Sequence, residues 1–265
     1  MTESLEIVAD AVGKWLRAGR RPLIVGICGS QGSGKSTLAN ALVERLAGEG
    51  LGAATLSLDD LYLGRAARAA LAREVHPLLA TRGVPLTHDV ARGCAILDAA
   101  KAGMAFELPR FDKAGDEPLP AGERVEAALD VLLFEGWCVG AVPEDAADLV
   151  EPVNELERAE DPHGVWRRAV NDALAGPYQS LFGRIDRLVV LAAPGFEVVR
   201  EWRAQQEHDL RERLAAEGRD PGLAMGDDRI GRFIAHYERI TRAILREMPE
   251  RADLTLRLDR DRRII

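Results

Sequence analysis

The sequence predicts an α/β fold with a mainly parallel sheet flanked by helices, and three observations predict it. Short apolar runs rich in β-branched residues, at 23–28, 53–58, 129–134 and 185–192, have the length and character of buried parallel strands. Segments with apolar residues at helical spacing stand between them. The first run also passes into a glycine-rich turn, Gly29-Ser30-Gln31-Gly32-Ser33-Gly34-Lys35-Ser36, that opens a helix.

That turn carries chemistry. It fits G-x-x-x-x-G-K-[ST], with Gly29, Gly34, Lys35 and Ser36 at the defining positions. Backbone N–H groups of such a turn can wrap a polyphosphate, and the helix N-terminus adds partial positive charge. A nucleoside-triphosphate site is therefore expected on Gly29, Ser30, Gln31, Gly32, Ser33, Gly34, Lys35, Ser36 and Thr37. Lys35 would lie at the β/γ-phosphates and the Ser36 hydroxyl on Mg²⁺. The chain has 35 basic residues, yet its only lysines are Lys14, Lys35, Lys101 and Lys113. A compact ammonium fits a phosphate loop where a planar guanidinium would not, which supports the same reading.

Composition narrows the partners. A net charge of -8 argues against nucleic acid or an acidic membrane surface as the main partner. Cys28, Cys94 and Cys138 make neither a disulfide framework nor a zinc pattern. No signal-peptide core opens the chain and no apolar run approaches a membrane span, so a cytoplasmic protein is expected.

Taken in order, residues 4–18 read as an amphipathic helix, with Leu5, Val8, Ala11, Val12 and Trp15 or Leu16 on the face packed beside the first strand. Leu38, Leu42 and Leu46 mark the helix after the phosphate loop. The second strand, 53–58, leads to a helix over 63–75, and the loop 81–89 leads to another over 90–101. A strand-like piece, 106–113, is followed by a tract rich in glycine, proline and acids, 114–122, expected to be a mobile loop. After the third strand, the acidic stretch 143–162 is expected to be irregular. A helix over 165–174, extended by 178–182, precedes the strand 185–192. Two long helices follow, 196–217 and 228–247, and 254–259 alternates as an edge strand.

Charged residues gather where the strands end, which is where open α/β sheets bind ligands. Asp59 and Asp60 follow the second strand. A phosphotransferase acting on an alcohol needs a carboxylate there to orient the hydroxyl and accept its proton, although Asp also suits a turn or a helix cap. Glu135 closes the third strand, the place for a Mg²⁺-organising acid. Arg82, His88 and Asp89 form a polar cluster in the 81–89 loop, and Asp89 is equally placed to cap the next helix. Arg82, Arg110 and Lys113 are cations able to match a small carboxylate, with His88 as a neutral partner. Arg200, Arg203, Arg211 and Arg213 stand among acids on the 196–217 helix, a pattern that also describes a solvated face.

Four islands together resemble the P-loop kinases of the phosphoribulokinase/uridine kinase group. They are Gly29 to Ser36, Ser57-Leu58-Asp59-Asp60-Leu61-Tyr62, the run from Arg82 to Asp89, and Leu133-Phe134-Glu135-Gly136-Trp137. Within that group the doubled acid, the Phe-Glu-Gly-Trp step, Trp202 to Glu207 and Arg232 to Tyr237 are similar to P-loop D-glycerate 3-kinases. The resemblance implies the P-loop nucleoside-triphosphate hydrolase fold, with helical lid and substrate insertions, as a single domain over 1–265. Its parts would be an N-terminal helix (1–20), a substrate-side insertion (60–125) and lid and C-terminal helices (195–250). It further implies ATP- and Mg²⁺-dependent phosphorylation of a small hydroxy acid, D-glycerate to 3-phosphoglycerate. Asp59 then matches the catalytic base with Asp60 in reserve, and Ser36, Asp59 and Glu135 lie about the Mg²⁺. Arg203 or Arg200 falls in the lid, which departs from the R-D-x-x-x-R-G of uridine kinases. Asp60, Tyr62, Arg82, His88, Asp89, Arg110 and Lys113 fall on the substrate side. A pantothenate or uridine kinase is the alternative, since Arg82-Gly83-Val84-Pro85 also resembles the former. A nucleotide switch is the reading from another class, but none of the four lysines follows an Asn as a guanine-specific Asn-Lys-x-Asp element requires.

Overall fold

The computed structural model describes residues 2–19, 21–126, 129–220, 222 and 225–265. Residues 1 and 20, at the ends of the expected 1–20 helix, lie outside the described residues. In chain order the elements are α1 (Thr2–Ala18), β1 (Leu23–Gly29), α2 (Lys35–Gly48), β2 (Ala53–Ser57), α3 (Arg65–Glu74), α4 (Val90–Lys101), β3 (Phe106–Leu108), β4 (Phe111–Asp112), β5 (Glu117–Pro118) and β6 (Glu123–Val125). They continue with β7 (Val131–Gly136), α5 (Glu155–Glu160), α6 (Val165–Ala173), α7 (Gln179–Phe182), β8 (Arg187–Ala192), α8 (Phe196–Ala216), α9 (Asp227–Ala235), α10 (Glu238–Arg251) and β9 (Leu254–Arg257).

Among the described residues, β2, β7, β1, β8 and β9 pair in that order and all in parallel. Every residue of β1 is buried, as a central parallel strand covered on both faces must be. Its side chains alternate between two layers. Val25 and Ile27 pack with Val8, Val12, Leu38 and Leu42 on the α1/α2 side, while Ile24 and Cys28 join Leu97, Leu181 and Ile240 on the other. Full burial of such an aliphatic side chain is worth about 1.5–3 kcal/mol, so the sidedness of the sheet is strongly held. This order puts the phosphate loop at the carboxyl edge of the middle strand, where the chain departs to opposite sides. Among the described residues no helix is long and apolar enough to cross a membrane.

Several elements depart from expectation. Helix α1 lies against α2 and β9, not beside β1 alone. The third strand runs over Val131–Gly136, so Glu135 lies within it and not beyond its end. The 114–122 tract is no open loop: β5 folds back on β4, with Phe111 opposite Pro118. What holds it is Asp116, whose carboxylate takes hydrogen bonds from the buried Arg68 (2.6 Å) and from Arg82. The 143–162 stretch contains α5, begun by a reciprocal cap in which Asn154 Oδ1 accepts from Glu157 N–H and Glu157 Oε2 accepts from Val153 N–H, both at 3.0 Å. The helix expected over 228–247 is two, α9 and α10, because the chain tightens at His236 and Tyr237, whose N–H groups bond three residues back.

That break is pinned from the far side. Asn154 Nδ2 donates to the Ala235 carbonyl (2.9 Å), and Arg239 forks onto Glu157 at 2.8 and 2.7 Å. Both members of this ion pair are buried. Removing one partner of a buried pair leaves an unmatched charge, so Glu157→Ala is expected to lower stability by about 3–5 kcal/mol, read from the urea midpoint of unfolding. A loss under about 1 kcal/mol, the scale of an exposed pair, would contradict this account of the α9–α10 anchor.

Candidate active site

The loop between β1 and α2 depends on its glycines. Gly32 (φ +78) and Gly34 (φ +89) are in the left-handed region that glycine enters freely. Gly32 has a second reason to lack a side chain, since a Cβ there would lie 2.5 Å from Trp202 Cβ. No side chain caps the start of α2 at Gly34, so its first N–H groups face the loop. Ser30 Oγ, Gln31 Oε1 and Ser33 Oγ are buried without hydrogen-bond partners. Buried polar atoms call for partners, and here a bound polyanion or its waters can supply them.

Glu135 stands beside this loop. Its Oε1 accepts from Ser36 Oγ (3.1 Å) and Ser57 Oγ (2.7 Å), and its Oε2 is buried with no partner. A carboxylate only 4% exposed, with a free oxygen next to a loop hydroxyl, is a hard oxygen donor set that suits Mg²⁺.

Asp59 lies in the single tight turn that follows β2, its N–H on Ser57 Oγ (3.3 Å). Its Oδ1 accepts from Tyr62 Oη and its Oδ2 from Lys113 Nζ, both at 2.6 Å. Burial alone would push this carboxyl up, but Lys113, Lys35 and the two hydrogen bonds outweigh it and hold the carboxyl well below the usual range. Burial and the Asp59 charge push the Tyr62 hydroxyl well up, so it remains a donor. Tyr62 is held between His88, stacked at 4.8 Å, and the edge of Phe111 at 5.3 Å. Burial lowers His88 to about 3, so its imidazole is neutral; Nδ1 meets Tyr178 Oη at 2.6 Å and Nε2 is buried without a partner. Asp60 accepts from the Phe111 N–H (3.0 Å), and burial raises its pKa. Asp89 caps α4 by accepting from Arg92 N–H at 2.9 Å, the capping role open to it from sequence.

A cleft of roughly 910 Å³ opens between the start of α2, the β4–β5 hairpin and α8, with Thr37, Arg82, Lys113, Arg203 and Met225 among its walls. Arg82 pairs with Asp116 and lies 5.6 Å from the Phe111 ring centre. Its backbone is clamped, because Tyr237 Oη donates to the Arg82 carbonyl (3.0 Å) and Trp137 Nε1 to that of Gly83 (2.8 Å). Arg110 turns away to Glu123 (2.5 Å) and Asp60 (3.4 Å). Arg203 pairs with Glu207 and lies 5.3 Å from the Phe233 ring centre, its Nε buried without a partner. Arg200 does not share that position: it lines a separate depression with Phe196 and Glu197. Three residues along a helix leave about 60° between side chains, enough to turn Arg200 out while Arg203 faces in.

Sequence reasoning missed three contributors. Ser57 and Tyr237 stand in segments that carry the family resemblance but have no role assigned from sequence, and Arg262, whose Nε donates to the Gly32 carbonyl at 2.6 Å, drew no attention. The parallel register could have found Ser57, which lies opposite Glu135; the other two had no local signal.

No protein-family model matches the chain. An uncharacterized kinase of Schizosaccharomyces pombe is 36% identical over 252 residues, covering 88% of this chain and 86% of its own length. The chloroplastic D-glycerate 3-kinase of Arabidopsis thaliana is 31% identical over 231 residues, covering 82% of this chain and 46% of its own length. Among solved structures, a D-glycerate 3-kinase from Cryptococcus neoformans matches with a TM-score of 0.81 at 26% identity, over 99% of this chain and 97% of that one. With these likenesses added to a phosphate loop at the edge of a parallel sheet, the chain belongs to the P-loop kinases of the phosphoribulokinase/uridine kinase group.

Proposed function

We propose that this kinase transfers the γ-phosphate of ATP to a hydroxyl of a small hydroxy acid, and that the acceptor is D-glycerate, giving 3-phosphoglycerate. The observation that carries the reading is the Asp59–Lys113 pair, 2.6 Å apart, with Lys113 60% exposed on the cleft wall near Arg82. A hydroxy acid offers a hydroxyl to the carboxylate and a carboxylate to the cations. It can therefore separate the pair and leave neither group without a hydrogen-bond partner. The D-glycerate 3-kinases among the relatives support the same acceptor.

In this reading the loop N–H groups and Lys35 hold the β- and γ-phosphates. Ser36 and Glu135 would hold Mg²⁺, which when bound neutralises phosphate charge. Asp59 stands beside them with its oxygens held by Tyr62 and Lys113, and it meets the acceptor hydroxyl once the acceptor carboxylate takes over Lys113. Asp59 orients the hydroxyl and takes its proton as the oxygen bonds to phosphorus. A carboxylate held so low is a weak base, so orientation is its larger contribution. Arg82 and Lys113 hold the acceptor carboxylate, and Tyr62 and neutral His88 shape its pocket. Arg203 supplies the lid cation. Asp60, Asp89 and Arg110 keep β4 and α4 in place. Residues 60–125 thus form the acceptor side and 195–250 the lid side of one domain spanning 1–265.

ATP consumption by the purified protein against glycerate, glycerol, pantothenate and uridine tests the acceptor. Glycerate is expected to exceed glycerol in kcat/KM by about 30- to 5,000-fold, the equivalent of roughly 2–5 kcal/mol for a matched charge pair. Equal rates for the acid and the triol, or turnover of uridine alone, would remove the hydroxy-acid reading. Asp59→Asn should lower kcat by about 10²–10⁴ and leave KM for ATP nearly unchanged, because it deletes a group that meets only the acceptor.

The depressed Asp59 carboxyl also has a pH signature. A lowered pKa means the carboxylate stays charged above its ordinary titration range, near pH 4, and loses its charge only at still lower pH. Wild-type kcat/KM for the acceptor, which reports the free enzyme, should therefore show no acid limb between about pH 5 and 7. Lys113→Met removes the largest opposing charge and leaves the burial effect, so the limb should move up in pH. An unchanged limb in kcat/KM would show that Asp59 is not the titrating base.

A further inference from the structure

Beyond β9 the chain turns back on itself. Leu258 bridges Ile264, and Asp259 closes the turn: its Oδ1 accepts from the N–H groups of Asp261 and Arg263, both at 2.8 Å. At the tip Arg262 has φ +63, a left-handed conformation that residues with side chains rarely adopt. The turn delivers its guanidinium to the phosphate loop. Nε donates to the Gly32 carbonyl at 2.6 Å, Nη1 donates to Gln205 Oε1 at 3.0 Å, and the group lies 5.1 Å from the Trp202 ring centre. Trp202 in turn donates to the Arg260 carbonyl (2.8 Å) and packs on Gly32, where no Cβ fits. One side chain thereby joins the phosphate loop, α8 and the turn after β9.

A peptide unit is planar, with its C=O and N–H pointing in opposite directions. Holding the Gly32 carbonyl out on Arg262 therefore keeps the Ser33 N–H turned the other way. That N–H reaches across the loop to the Ser30 carbonyl at 3.2 Å, a long bond that a phosphate oxygen could replace.

We propose that Arg262 is a positioning residue for the nucleotide: it sets the phosphate loop for anion binding through the Gly32 carbonyl and couples that setting to α8 through Gln205 and Trp202. The proposal rests on the nucleotide half of the function proposed above and is independent of the acceptor.

Calorimetric titration of the full chain with ADP in Mg²⁺ buffer tests it without any acceptor. Arg262→Ala should weaken ADP binding by about 10- to 100-fold, the loss of a charge-assisted hydrogen bond. At saturating ATP its kcat should stay within about threefold of wild type, because uniform binding has been lost and not transition-state binding. Arg262→Lys keeps a donor for the Gly32 carbonyl but not the fork to Gln205, and should fall between the two. Arg263→Ala, which removes a neighbouring exposed charge, should bind ADP as wild type does. A merely structural role would lower the active fraction, seen as reduced stoichiometry at unchanged Kd. Should Arg262→Ala fail to fold, Arg262→Lys and Gln205→Leu carry the test, each expected to weaken ADP by several-fold. ADP affinity within twofold of wild type in the folded Arg262 variants, or an equal loss in Arg263→Ala, would overturn the proposal. Weakened ADP binding with no turnover of glycerate would instead count against the acceptor alone.

Discussion

One buried carboxylate holds the top of the sheet together. Glu135 receives the hydroxyl of Ser36 from the phosphate loop and that of Ser57 from β2, so three neighbouring chain segments meet on it. Its place follows from the apolar register of β7. Val131 and Leu133 pack into the α1/α2 layer while Leu132 and Phe134 pack into the other. Glu135, next in the odd series, therefore turns to the side on which α2 begins. A one-residue slip would send it to the opposite layer and the apolar side chains with it. Two neutral hydroxyls do not neutralise a carboxylate, and an uncompensated buried charge is costly. In the proposed reading, a bound cation would relieve that cost.

The cleft shows the complementary arrangement. Three of its cations already have acidic partners: Arg82 with Asp116, Lys113 with Asp59 and Arg203 with Glu207. A chain with a net charge of -8 repels small anions at long range, so attraction must be local. Internal pairing holds these long side chains in position, and the proposed hydroxy acid would exchange one carboxylate for another instead of ordering a free side chain. Arg82 is the most fixed of them, between aromatic rings on one side and clamped backbone at residues 82–83.

The parts of this protein that were legible in its sequence are those with local causes. The phosphate loop, the buried run of β1 and the helix Val90–Lys101 with its Asp89 cap all announce themselves within a few residues. Asp59 was legible because a strand end after such a loop is a ligand edge. The helix α5 was also legible in principle, since Asn154-Glu155-Leu156-Glu157 is a capping pattern that acidic composition concealed. The break between α9 and α10 was not: Phe233, Tyr237, Ile240 and Ile244 keep helical spacing straight through it, and the groups that pin it, Asn154 and Glu157, are about eighty positions away. The 114–122 tract misled for a related reason. Its residues look like a loop, but their order comes from Arg68 and Arg82, each more than thirty positions away. Arg262 is the extreme case, meeting its partner across 230 positions.

Strand β9 gives the sheet a history as well as a shape. On the ribosome β8 is complete at residue 192, but its outer neighbour is not made until 254–257. At about 5–20 residues per second, β8 stays an outermost strand for roughly 3–13 s. Val189, Val190 and Leu191 are all buried in the finished molecule and carry no charge, so for that interval the nascent chain shows an apolar, unpaired edge. The helices α8, α9 and α10 are translated during the same interval. Of these, α10 packs against β8 in the finished molecule, and it is complete just before the enclosing strand begins.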